Sequence, residues 1–139
     1  MPYLQTHIHY VWATWDRPDT IEAHWEAGLY ASLRAECARL KCHVRALNGI
    51  ANHVHLLIDL PATVSLSEIA KQVKGASSLF ANEKLTPSEW FKWQHEYAAF
   101  TVSRWDVPKI RDYIDRQKEH HAVGTTKAEL ELPPLQQMR

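Results

Sequence analysis

Apolar residues recur along this chain with two different periods, and the switches between them mark out its elements. Residues 6–15, THIHYVWATW, are β-branched and aromatic and read as a strand. The turn residues DRPDT follow. Asp19 or Thr20 can then cap a helix running to about Lys41, whose Ile21, Trp25, Leu29, Leu33, Cys37 and Leu40 fall in one stripe. HVRALNGIA (43–51) reads as a second strand. Asn48-Gly49 supplies a tight turn or a bulge before the third, HVHLLIDL (53–60), which Pro61 closes. Ser65 and Glu68 form a capping box. Behind it Leu66, Ile69, Val73, Ala76 and Phe80 make the apolar face of a second helix, and Lys71, Lys74 and Ser78 share a polar one. EYAAFTVS (96–103) is a fourth strand. Asp106 caps a third helix from Val107 to about His121, with Pro108 tolerated in its first turn.

The order β-α-β-β-α-β followed by one more helix predicts an α+β fold, the ferredoxin-like split βαβ plan, with two helices on one face of an antiparallel sheet. Residues 1–123 form the expected domain. Residues 124–139 carry weak periodicity and two adjacent prolines, and are expected to hang loose or to dock on a partner subunit.

Composition narrows this only slightly. A 45% hydrophobic content over 139 residues suits one domain with a core of its own. No stretch approaches the roughly 20 apolar residues that span a bilayer, and the first residues lack the basic-then-apolar order of a signal peptide. Cys37 and Cys42 fit neither a zinc knuckle nor a redox pair and read as reduced thiols of a cytoplasmic protein. Sixteen basic and sixteen acidic residues cancel, so bulk charge points to no partner.

Chemistry enters with His53 and His55. Side chains two apart on a strand share a face, so both imidazoles point to one side. They are either core histidines satisfied by backbone or water, or a site. On the third helix Tyr113 and Gln117 stand four apart and share a face, His121 continues the line and His120 lies near it. Two imidazoles and an amide oxygen can hold a divalent cation with positions left open, and such a cation polarises a phosphodiester. A phenol titrating at about 10 is a weak nucleophile that this arrangement would help. His7 and His9 make a second His-x-His pair, which either orients a ligand or fills the sheet. Tyr97 is the rival nucleophile, but it lies in a strand with no glutamine beside it. Lys71, Lys74, Arg104, Lys109 and Arg111 are candidate phosphate contacts or simply a solvated face. Trp90, Trp93 and Trp105 either stack on unpaired bases or pack.

The ordered set HVHLLI, VKGASSLFA, WQHEYAAFTVS, YIDRQ and QKEHH, across roughly residues 3–121, resembles the single-tyrosine transposases of the IS200/IS605 insertion sequences, members of the HUH nuclease superfamily. The resemblance implies that His53, His55 and Gln117 bind Mg²⁺ or Mn²⁺. It implies that Tyr113 attacks single-stranded DNA to give a 5′-phosphotyrosine and a free 3′-hydroxyl, which rejoins by the reverse step. It further implies a homodimer, with the tyrosine helix serving its own or the other subunit, DNA ends folded as hairpins, and bacterial cytoplasm as the setting, at the nucleoid when acting. Asn52 stands where an acidic residue is common in the family, and Glu96 where many relatives have glycine. Three other readings stay open: a non-catalytic nucleic-acid-binding module, a histidine phosphohydrolase acting on nucleotides, and a domesticated relative that processes chromosomal palindromes.

Overall fold

The computed structural model describes residues 2–138. Its strands and helices follow as β1 (His7–Ala13), α1 (Ala23–Arg39), β2 (His43–Ile50), β3 (His53–Asp59), α2 (Leu66–Phe80), β4 (Ala98–Val102), α3 (Val107–Asp115) and α4 (Gln117–Val123). A π-helical turn, Ala81–Leu85, extends α2, and two short 3-10 turns lie in the tail. The four strands form one sheet in the order β2-β3-β1-β4, and every neighbouring pair is antiparallel. This is the expected split βαβ plan.

Strand alternation gives the sheet two unlike faces. Ile8, Tyr10 and Trp12 of β1 and Val54, Leu56 and Ile58 of β3 point into the larger core. There they meet Trp25, Leu29, Leu33 and Cys37 of α1 and Ile69, Ala70 and Val73 of α2. The α1 stripe read from the sequence is therefore the buried one. The helix begins later than expected, however, with Glu22 rather than Asp19 or Thr20 at its cap. The backbone N–H groups of Thr20 and Ile21 are instead spent on the carbonyl of Ala51 in the β2–β3 turn. On α2, Ser65 caps through its hydroxyl as the capping box requires, accepting from the Glu68 N–H. Its buried face is rotated from the expected one: Ala70 and Ser77 are buried and Phe80 is 39% exposed. The indole N–H of Trp93 donates to Ser77 Oγ at 2.9 Å, and so draws that polar residue inward.

The opposite face carries His9, His53, His55 and Leu57, and α3, α4 and the tail lie over it. A second, smaller core of Ala46, Leu57, Val102, Ile110 and Ile114 glues α3 to the sheet. The bulge in β2 lies between Val44 and Ala46, not at Asn48-Gly49. Asn48 and Gly49 are paired strand residues opposite His55 and Val54. Gly49 is needed for close approach: a Cβ there would lie 2.1 Å from the backbone oxygen of His53. Among the described residues no helix is long and apolar enough to cross a membrane, and both cysteines are buried and free.

Candidate active site

Register sets the histidines. In β3, His55 pairs with Val11 of β1 and with Asn48 of β2, while His53 pairs with Ala13 and Ile50. Both rings therefore emerge from the middle of the sheet beneath α3 and α4. Each is held from behind. Asn52 Oδ1 lies 2.8 Å from His53 Nδ1, and the Asn52 amide nitrogen donates to the carbonyl of Arg17. That second bond fixes which way the amide points, so His53 Nδ1 must be the donor to Oδ1. His9 Nε2 lies 2.8 Å from His55 Nδ1, and the two rings stack. Burial, reinforced by the neighbouring His55, drives the His9 imidazole down to about 3. Burial likewise lowers His55. Both rings are thus neutral at ordinary pH, the form in which imidazole ligates metals.

From above, α3 brings Tyr113 and α4 brings Gln117, one helical turn apart and both buried. The expected single helix is divided at Arg116. The Asn48 side-chain amide donates to the carbonyls of Ile114 and Asp115 at 3.1 Å each, inserting at the joint. Gln117 Oε1 lies 3.2 Å from His53 Nε2 and 3.0 Å from His121 Nε2. The Tyr113 ring stands edge-on to His55, with centroids 6.2 Å apart, and stacks on His120 at 4.7 Å.

The residue at the centre is one that no sequence pattern singles out. Glu131, in the tail, places Oε1 3.2 Å from His53 Nε2 and 3.1 Å from His55 Nε2. Its Oε2 accepts from Gln117 Nε2 at 2.9 Å and from the Tyr113 hydroxyl. The backbone N–H of Lys127 donates to the same phenol oxygen at 3.0 Å. Burial alone would raise the Glu131 carboxyl, but the imidazoles and the phenol around it outweigh this and keep it ionised. Burial and the bond to Glu131 push the Tyr113 phenol up to about 12, so it is protonated at rest.

His53, His55, Tyr113 and Gln117, four residues from three elements, thus meet in one place. His121 joins them, and His9 stands behind. Lys109 borders a cavity shared with His9, Lys127 and Leu130. Arg111 is exposed on α3, and Arg104 lies over the exposed Trp105 ring at 4.3 Å and donates to Gln5. Lys71 and Lys74 are on α2, across the sheet. The Lys74 ammonium donates to the carbonyls of His95 and Glu96, and burial lowers it to about 8. Tyr97 packs on Tyr10 of the larger core, on the face away from the histidines. Trp93 is buried, whereas Trp90 and Trp105 are exposed. Asn48 was legible only as a turn or bulge residue and Asn52 only as a departure from the family pattern; Glu131 follows no motif at all.

Donor chemistry identifies what such a site can hold. Nε2 of His53, Nε2 of His55 and a Glu131 carboxylate oxygen converge within 4.8 Å of one another, and Gln117 Oε1 adds a neutral oxygen. Nitrogen and oxygen donors of this kind suit a divalent cation such as Mg²⁺ or Mn²⁺.

The IS200-like transposase family model matches residues 3–117. The transposase for insertion sequence element IS200 of Salmonella typhimurium is 31% identical over 98 residues, 66% of this chain. The chain spans 63% of the length of that relative. The ISDra2 transposase TnpA of Deinococcus radiodurans is 27% identical over 83% of this chain and 86% of its own. Among solved structures, a candidate transposase of Deinococcus radiodurans R1 superposes with a TM-score of 0.64 at 27% identity, over 84% of this chain and 95% of that one. A REP-associated tyrosine transposase bound to a REP hairpin superposes with a TM-score of 0.64 at 14% identity, over 91% of this chain and 76% of that one, a likeness of fold. With its family model matched over most of its length and its sheet, helices and histidine pair arranged as described, the chain belongs to the IS200-like transposases.

Proposed function

We propose that this chain cuts and rejoins single-stranded DNA at the hairpin-bearing ends of an insertion sequence, through a 5′-phosphotyrosine on Tyr113. The observation that carries the reading is the meeting of Tyr113, the only phenol at the site among the described residues, with His53, His55 and Gln117 on one face of the sheet. A bound Mg²⁺ or Mn²⁺, held by the two imidazoles and the Gln117 amide oxygen, would supply charge to polarise the scissile phosphate.

The protein's own groups do the rest. His9 and Asn52 lock the two imidazoles with Nε2 outward. Glu131 Oε2 and the Lys127 N–H hold the phenol oxygen from two sides. In cleavage the Tyr113 oxygen forms a bond to phosphorus, the bond from phosphorus to the 3′-oxygen breaks, and that oxygen takes up a proton to leave a 3′-hydroxyl. The phenol proton goes to the acceptor beside it. Rejoining runs the same exchange backwards, with the 3′-hydroxyl attacking and tyrosine leaving, so no nucleotide energy source enters. Lys71, Lys109, Arg104 and Arg111 offer exposed charge to DNA phosphates. The carbonyls that hold Lys74 make it the weakest of the five. We propose a homodimer as the acting species, on the strength of the family resemblance.

The test is incubation of labelled single-stranded element ends with Mg²⁺ and protein, followed by a denaturing gel. The wild type is expected to give a slow-migrating protein–DNA band. Tyr113→Phe is expected to lose that band and all cleavage while binding the same DNA within about twofold, since one buried hydroxyl is all that changes. Persistent cutting by Tyr113→Phe would end the reading.

A further inference from the structure

We infer that Glu131 is itself a ligand of the divalent cation, delivered by the tail into the set made by His53, His55 and Gln117. The inference rests on the function proposed above and adds to it a carboxylate that lies beyond the residues the family model matches.

Counting protons at the site makes the case. His53 spends its Nδ1 proton on Asn52 Oδ1, whose orientation the bond from Asn52 to Arg17 fixes. With its proton at Nδ1, the ring has Nε2 free to serve as the ligand atom. Gln117 is fixed in the same way: its amide nitrogen donates to Glu131 Oε2, so its Oε1 is the atom facing His53. His53 Nε2 therefore faces two oxygens, Gln117 Oε1 at 3.2 Å and Glu131 Oε1 at 3.2 Å, so that three electron-rich atoms converge on one point. Buried lone pairs turned on one another are costly unless something positive joins them.

The spacings suit that something. Adjacent ligands of a six-coordinate Mg²⁺ or Mn²⁺ with bonds of about 2.1 Å lie about 3 Å apart. Here Glu131 Oε1 is 3.2 Å from His53 Nε2 and 3.1 Å from His55 Nε2, and Gln117 Oε1 is 3.2 Å from His53 Nε2. Charge points the same way. Two neutral imidazoles and an amide bring no negative charge to a hard dication, and Glu131 is the carboxylate that does. Its other oxygen holds the Tyr113 hydroxyl. One side chain thereby joins the cation set to the phenol.

Mn²⁺ alone is the probe, titrated into the full chain and followed by the electron paramagnetic resonance of free aquo-Mn²⁺. Thermal unfolding with and without Mn²⁺ serves as a second readout, because an ion bound only by the folded state raises Tm. The wild type is expected to bind one Mn²⁺ and to gain Tm with it. His53→Ala should lose both, and Glu131→Ala should weaken binding by at least about tenfold, as even outer groups of metal sites do. The isosteric Glu131→Gln should fall between, and its metal-free Tm reports whether the tail still packs. If Glu131→Ala binds Mn²⁺ as tightly as the wild type while His53→Ala does not, the inference is overturned and the proposed function stands. If His53→Ala also binds normally, the proposed function falls together with it.

Discussion

A metal-binding imidazole is only as useful as the group behind it, and at this site the groups behind are His9 and Asn52. If a cation is to sit on His55 Nε2, the ring proton must be on Nδ1, where His9 Nε2 accepts it. His9→Ala removes that acceptor and leaves a buried void beside the ring. We expect it to weaken Mn²⁺ binding by about 10- to 100-fold with the fold kept, measured by the same titration and by circular dichroism. A merely packed His9 would instead lower Tm and leave the affinity alone. The histidine pair, the tyrosine and the glutamine were readable from the chain because each pair lies within one local period, two residues on a strand or four on a helix. His9 was readable only as one of two open choices. Its partner is a diagonal neighbour across β1 and β3, and no short-range pattern encodes that register. Glu131 was not readable, since it reaches the histidines from 76 residues beyond His55.

Helices and strands place these groups, and the joint between α3 and α4 is the most exacting placement. Asn48 donates to two carbonyls there while its own oxygen accepts from Lys118 Nζ at 2.7 Å. A strand residue thus pins the point between Tyr113 and Gln117. Asn48→Ala should cost about 1 kcal/mol of stability, the usual net worth of a hydrogen bond, since the bonds it removes are only part-buried or exposed, and should lower DNA cleavage while sparing DNA binding. Asn48→Asp should unfold at a lower temperature than Asn48→Ala, because it turns a third oxygen toward the two carbonyls. A thermal melt of the pair decides this; equal melting would mean that the joint is set by helix packing alone. The sequence pattern predicted one continuous helix because Arg116 and its neighbours are good helix formers. What divides the helix is a long-range side-chain bond. The rotated face of α2 has the same origin, since the Trp93 indole outweighs the apolar pattern by giving Ser77 a buried partner.

At the scale of the whole molecule, the sheet separates two tasks. One face is an apolar core that could serve any protein of this plan, and its alternation made the plan legible. The other holds a chemical site roofed by α3, α4 and the tail. Within a single chain the phenol of Tyr113 and Nε2 of both His53 and His55 meet on one carboxylate, Glu131. A protomer therefore contains every group that the proposed reaction uses, whether or not it pairs with another. This bears on how subunits share work. If the site acts as folded, mixing Tyr113→Phe with His53→Ala should restore no cleavage, because every protomer in the mixture, in any pairing, lacks either the nucleophile or a ligand. If instead α3 crosses to a partner subunit, mixed dimers would hold one intact site, and cleavage should return to about a quarter of the wild-type level on random pairing, half the dimers being mixed and each with one site of two. The mixture should be refolded together or co-expressed so that subunits can exchange, and read on the same denaturing gel. A covalent band carried only by the chain with Tyr113 would establish the crossed arrangement and show that the closure seen within one chain is not the acting form.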